Sequence, residues 1–230
     1  IPRIISPSYT FKDSIEIKME KKNLEDVFYK ISNQTNYTLY TSPFNLYDSD
    51  TVYCYSSFRN KKSKIESACF LKFNKKRSIS LETSFSNQYD AGGKDALVDG
   101  LRGPNNYLTG RWQGFYGEDF ESIVDLGSKE PVTYLNIGAI QDVRSWIWLP
   151  KKVEFLASHD GKIFKSIGTL MHSVSDNSSE SIIKQFELKL KTSVEARYIK
   201  VRAENYGKCP EWHLGSGGIS WLFFDEITIL

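Results

Sequence analysis

Three stretches of this chain gather large aromatic side chains, two of them where glycine forces the backbone to turn. Residues 89–117 read YDAGGKDALVDGLRGPNNYLTGRWQGFYG and carry Tyr107, Trp112, Phe115 and Tyr116. Residues 141–149 read QDVRSWIWL, with Trp146 and Trp148 on one side of the alternation. Residues 209–226 read CPEWHLGSGGISWLFFDE. A large ring in a loop is costly to leave in water, so such rings either plug the end of a sandwich or meet a ligand. Covalent chemistry has no comparable support. There is no GxSxG, no HExxH and no glycine-rich phosphate loop after a strand. His159, His172 and His213 lack metal-ligand spacing, and His159 lies in Ser158-His159-Asp160-Gly161, a hairpin-turn signal. Carboxylates are plentiful, but paired acid–base work needs a cleft that strand-and-loop sequence does not display. The chain therefore reads as non-enzymatic.

The elements that must position these rings are strands. The chain has 230 residues, 40% hydrophobic and 25% charged, an ordinary globular balance. Aromatics make up 14% and methionine only 2 residues, which favours strands over helices. Ile15, Ile17 and Met19 alternate, as do Val27, Tyr29 and Ile31; Val52 and Cys54 oppose Tyr53 and Tyr55; Cys69, Leu71 and Phe73 follow. Period-two alternation between polar turns marks half-buried antiparallel strands, here enough for a small immunoglobulin-like sandwich. Further strands are expected at residues 79–83, 123–127, 132–140, 153–157, 186–190, 198–203 and 223–229, spaced as in a jelly-roll. No long amphipathic helix and no internal repeat is evident.

The net charge is +2, too small for a binder that works by neutralising phosphates. No apolar run reaches the ~18 residues of a membrane span. The small total conceals an asymmetry of +6 over residues 1–77 and −4 over 78–230. The break falls at Lys75-Lys76-Arg77, read as a solvated interdomain hinge. Two domains are expected, 1–77 and 78–230. Cys54, Cys69 and Cys209 form neither a zinc pattern nor a disulfide framework, and Cys54 and Cys69 are read as two buried thiols that could face each other. The chain starts at Ile1 without a signal peptide, which suggests a mature or excised fragment.

Four motifs in order carry a resemblance. Leu97-Val98-Asp99-Gly100, Trp112-Gln113-Gly114-Phe115, Val124-Asp125-Leu126-Gly127 and Ser158-His159-Asp160-Gly161 resemble the discoidin, or coagulation factor 5/8 type C, domain. Trp221 to Ile227 is similar to that family's last strand, so the likeness spans 78–230. Tyr89 to Gly93 and Trp212 to Gly215 resemble modules at the C-terminus of bacterial β-hexosaminidases. Residues 1–77 look like the chitobiase C-terminal type of sandwich that precedes them, with Pro2 to Ile5 and Phe28 to Ile31 in place. The usual DGxxPT turn is replaced by Ser32-Asn33-Gln34-Thr35-Asn36.

The resemblance implies an all-β chain of two tandem sandwiches, immunoglobulin-like and then jelly-roll, the second binding sugars as family 32 carbohydrate-binding modules do. An exposed indole stacks on the C–H face of a sugar, while charged and amide groups bond its hydroxyls. On that basis Trp146 stacks and Arg144 bonds hydroxyls, Arg111 and Asn106 are polar partners, and Trp212 and His213 close the far wall. Trp112, Trp148 and Trp221 read as core, and Arg144 has a competing surface partner in Asp142. The resemblance also implies a structural calcium ion held by Asp99 and Glu226 together with backbone carbonyls from the loop, though calcium takes six to eight oxygens and this loop offers only one sure carboxylate. The alternative is that Asp99 caps a turn and Glu226 meets solvent.

These expectations describe a non-catalytic C-terminal accessory fragment of a secreted, periplasmic or cell-surface bacterial glycoside hydrolase, β-N-acetylhexosaminidase-like. Its partners would be a glycan ending in galactose or N-acetylhexosamine and an upstream catalytic domain, with no nucleic acid and no membrane insertion. One alternative is a structural module packed on that catalytic domain. Another is a protein- or membrane-surface adhesion module.

Overall fold

The computed structural model describes residues 2–7, 10–11, 13–20, 25–59, 61–72 and 77–230. The chain divides into two compact units, Ile1–Asn74 and Lys75–Leu230. Arg77 belongs to the second: its guanidinium pairs with Glu130 at 3.4 Å and its side chain is only 7% exposed. Arg77 is therefore not a solvated hinge residue; Lys75 and Lys76, like Phe73, lie outside the described residues.

The first unit contains β1 (Arg3–Ile5), β2 (Thr10–Phe11), β3 (Ile15–Glu20), β4 (Asp26–Ile31), β5 (Thr38–Leu39), β6 (Phe44–Leu46), β7 (Asp50–Phe58), β8 (Lys61–Lys62) and β9 (Glu66–Lys72). One sheet has the order β1-β3-β6; the other runs β2-β9-β7-β4-β5, with β8 on β7. Strict alternation on β3 turns Ile15, Ile17 and Met19 inward, where they meet Val27, Val52, Cys54 and Phe70. On β9 the inward residue is Phe70, not Cys69 or Leu71. Register explains it: Cys69 stands opposite Thr51 and Cys54 opposite Glu66, so the two cysteines point to opposite faces. Cys54 is buried, Cys69 exposed, and both are free thiols, which corrects the expected buried pair.

The second unit contains β10 (Ser78–Leu81), β11 (Gln113–Tyr116), β12 (Phe120–Gln141), β13 (Lys152–Ser158), β14 (Lys165–Met171), β15 (Ile182–Ala203) and β16 (Trp221–Ile229). Its helical content among the described residues is four single 3-10 turns, Asn87–Tyr89, Ala96–Val98, Tyr107–Thr109 and Val143–Ser145. The two 22-residue strands shape the unit. The first half of β12 pairs with β10 and with the second half of β15, and its second half pairs with the first half of β15 and with β16. Register shifts between Asp125 and Glu130 and between Val132 and Tyr134 separate the halves. Gly127 sits in the first shift at φ +82°, a backbone that glycine adopts without strain. One hydrogen-bonded sheet thus folds over itself into two layers. The core between them includes Val124, Phe155 and Val201 from one layer and Leu135, Phe186 and Phe224 from the other.

The sequence pattern splits β12 and β15 into shorter strands, because the turn-like residues at the shifts interrupt the alternation. It also misses β11 and β14. β11 hydrogen-bonds to β16 as an edge strand, although its four residues sit in the glycine-rich stretch. No helix among the described residues is long and apolar enough to cross a membrane.

Candidate aromatic loop site

The turn after β12 presents Trp146. Asp142 and Ile147 form an isolated bridge, and the 3-10 turn Val143–Ser145 closes between them. Trp146 caps that turn at φ +65°, its N–H donating to the Val143 carbonyl at 3.0 Å. A left-handed backbone at a bulky residue is uncommon and must be held by its surroundings. Three contacts hold it. Trp221 N–H donates to the Trp146 carbonyl at 2.8 Å. A Cβ placed at Gly215 would overlap the indole, and one at Gly218 would come within 2.6 Å of it. The half-buried ring therefore lies against the Gly215–Gly218 turn of the opposite loop.

His213 joins the two loops. Its Nε2 lies 2.9 Å from the Val143 carbonyl, and its Nδ1 accepts from Gly215 N–H at 3.0 Å. That pattern fixes the neutral tautomer with the proton on Nε2. Three indoles surround the imidazole: Trp148 at 5.1 Å, Trp212 at 5.7 Å and Trp146 at 6.2 Å, all edge-on. The residue is 9% exposed. With both ring nitrogens bonded to the protein, His213 positions Trp146 and Trp212 rather than bonding a ligand hydroxyl. Trp212 is 52% exposed, and beside it Leu214 is fully exposed. Arg144 is exposed on the Trp146 turn and makes no ion pair with Asp142 among the described residues.

Trp148 is core, 1% exposed, as its sequence position suggests. It stacks on Tyr206 at 5.0 Å and 16°, and its Nε1–H donates to the Asp176 carbonyl at 2.9 Å. Tyr206 Oη donates to Asp176 Oδ2 at 2.7 Å. Burial, then the adjacent Asp176 carboxylate, pushes the Tyr206 phenol up to about 12. Sequence reasoning missed Tyr206 and Asp176. The available signal was a tyrosine between Asn205 and Gly207, directly after the last strand alternation.

Asn106 and Arg111 sit on a different loop, built around Trp112. Trp112 is buried, its Nε1–H donating to the Pro104 carbonyl at 2.9 Å, and a Cβ at Gly103 would overlap it. Gln113 Nε2 donates to the carbonyls of Asp90 and Gly93, tying down the preceding turn. Asn106 caps the 3-10 turn Tyr107–Thr109, its Oδ1 accepting from Leu108 N–H at 3.0 Å. Arg111 is exposed. No hydrogen bond or ring contact among the described residues joins these two to the Trp146–His213 group. Phe115 is fully buried and Tyr116 is 48% exposed, so the aromatic stretch divides between core and surface. Trp221 is half-buried beside Tyr89 and Tyr116.

Asp99 and Glu226 each already accept a hydrogen bond from the loop backbone. Asp99 Oδ1 accepts from Leu101 N–H at 2.7 Å, and Glu226 Oε2 accepts from Gly100 N–H at 3.0 Å. Glu226 is 1% exposed, not at the solvent, and burial, with Asp99 and Asp225 close by, pushes its carboxyl well above the usual range. No group of three or more His, Cys, Asp or Glu among the described residues is arranged to hold a metal. Positive charge is already present here: Arg102 lies 3.3 Å from Asp225, and the Arg77 guanidinium interacts electrostatically with Glu226. Burial raises Asp225 to about 6, against the opposing pull of Arg102 and of the Gly103 and Glu226 N–H groups.

The second unit is thus a jelly-roll sandwich with a ring-lined surface held on two loops. Residues 80–218, more than half of the chain, match the F5/8 type C domain family model, and the chain belongs to that family. No curated protein matches the sequence. Among solved structures, the chain is similar to CBM32-1 of a family 31 glycoside hydrolase from Clostridium perfringens, with 12% identity over 66% of this chain and 92% of that one and a TM-score of 0.43. It is similar also to GH31 CBM32-2 bound to GalNAc, with 14% identity over 68% and 98% and a TM-score of 0.43. A third is the family 32 CBM of C. perfringens NanJ in complex with galactose, with 14% identity over 66% and 92% and a TM-score of 0.40.

Proposed function

We propose that the second unit binds glycans through the surface formed by Trp146, Trp212 and Arg144. The observation that carries this reading is the Trp146 geometry. A bulky residue is held in a left-handed backbone, against two glycines, beside an exposed indole and an exposed guanidinium. The placement packs one part of the ring on the glycine turn and leaves the rest at the surface. The chemistry suits a sugar, whose C–H face stacks on an indole while its hydroxyls accept from a guanidinium. Galactose and N-acetylhexosamine termini are the proposed ligands, with Asn106 and Arg111 available to a longer glycan from their own loop.

The rest of the reading follows from the resemblance of the motifs. Residues 1–77 would be an immunoglobulin-like spacer of the chitobiase C-terminal type. The chain would be the non-catalytic C-terminal part of a secreted bacterial glycoside hydrolase of β-hexosaminidase type. Weak binding is effective there, because tethering to a catalytic domain raises the local concentration of the site. The deciding experiment is a glycan array followed by isothermal titration of the hits, on the wild type and on Trp146→Ala and Trp212→Ala. Binding that both substitutions abolish supports the reading. Absence of binding at millimolar sugar overturns it in favour of a structural module.

A further inference from the structure

We propose that a guanidinium, that of Arg102, takes the place of a metal ion in clamping the loop of residues 99–112 to the last strand. The loop, which itself carries the partly buried Asp99, passes over the buried acids Asp225 and Glu226, and a positive group there favours their charged form. Arg102 occupies that position with a side chain only 17% exposed. Its Nη1 donates to Gln185 Oε1 at 2.7 Å and to Asp225 Oδ1 at 3.3 Å, while Nη2 donates to Thr228 Oγ1 at 2.7 Å. One side chain thus ties the loop to β15 and twice to β16. The backbone beside it completes the clamp: Gly100 N–H serves Glu226, and Gly103 N–H serves Asp225 Oδ2 at 3.1 Å.

Two further features show that the cluster is built for a fork of donors. A Cβ at Gly138 would overlap Asp225 Oδ1 and reach Gln185 Nε2 at 2.9 Å, so that glycine keeps the room in which Arg102, Asp225 and Gln185 meet. A planar guanidinium satisfies several oxygens at fixed angles, which a single ammonium does not. A divalent cation entering here would meet a resident positive charge and carboxylate oxygens already facing N–H donors. Arg102 is a positioning residue: it sets the loop that carries Asn106 and Arg111 and touches no ligand itself. The inference does not depend on what that loop binds.

The test is thermal unfolding of the full chain with EDTA and with 5 mM calcium, alongside calcium titration by calorimetry. The wild type is expected to show the same Tm in both and no stoichiometric calcium binding. Arg102→Ala is expected to lower Tm by several degrees equally in both, and Arg102→Lys to recover part of the loss. A wild-type Tm that falls on chelation and returns with calcium would overturn the proposal. So would an Arg102→Ala variant as stable as the wild type. The wild-type arms remain decisive if Arg102→Ala does not fold.

Discussion

The His213 Nε2–H donates to the Val143 carbonyl at 2.9 Å, and this bond connects the two loops that carry Trp146 and Trp212. The partners are 70 residues apart in the chain. Losing it leaves a buried carbonyl without a donor and a hole among three indoles. His213→Ala is therefore expected to destabilise the second unit by about 2–4 kcal/mol, from the cavity and the unpaired carbonyl together. His213→Phe keeps the ring and is expected to recover about half. Denaturant unfolding followed by tryptophan fluorescence measures both, and a neutral His213→Ala would show that the loops are held by other contacts.

Trp212→Ala separates ligand contact from packing. The ring is half exposed, so its removal is expected to change stability by no more than about 0.5 kcal/mol. Glycan affinity is expected to fall at least tenfold, about 1.4 kcal/mol, on titration calorimetry. Unchanged affinity would remove Trp212 from the site.

Gly215→Ala probes the seat of Trp146 from the other side. The added methyl overlaps the indole, and one of the two must move. A cost of about 1–3 kcal/mol is expected, as for overpacking in a filled site. The Trp146 contribution to near-ultraviolet dichroism should change with it, measured against Trp146→Phe. A stable variant with an unaltered spectrum would contradict the contact.

His172 gives a pH signature. Burial holds its imidazole below the usual histidine value, with Nδ1 accepting from Val174 N–H at 3.2 Å and Phe186 edge-on at 6.0 Å. Below about pH 6.5 the unfolded chain gains a proton that the folded chain resists. Its contribution to stability is complete above that pH and declines on acidification until the folded imidazole also protonates. The Tm loss between pH 7.5 and 5.5 is expected to be smaller in His172→Gln than in the wild type. The His172 resonance should titrate below the free-histidine midpoint by NMR.

The thiols make a fifth check. Cys69 is exposed, whereas Cys54 and Cys209 are buried, and burial raises the Cys54 thiol to about 11. A thiol reagent should label Cys69 quickly in the native chain and all three only on unfolding. Rapid native labelling of Cys54 would place it on the wrong face of β7.

The fate of individual residues shows what each level of information decides. Alternation alone put Ile15, Ile17 and Met19 on one face, and the structure buries that face, because a strand has one side-chain period and only one face can be buried. The expected division at residue 77 came from the charge asymmetry and not from the alternation. Motif order alone carried the family, since turn residues such as Gly127 and Gly161 are dictated by local backbone geometry. Trp112 and Trp148 read correctly as core for the same reason.

Contacts made across long stretches of chain have no local signature. That β12 and β15 are continuous through their register shifts depends on partners 55 or more residues away, which no window of sequence displays. The opposed faces of Cys54 and Cys69 follow from the register of β7 on β9. The role of His213 follows from a carbonyl on another loop, and that of Arg102 from acids on β16. Residue type supplied the sequence-level candidates, and a histidine beside a tryptophan suits a sugar as well as it suits a buried bridge. Only the tertiary fold, by deciding which donors are already spent inside the protein, separates the residues left exposed from those that hold them in place.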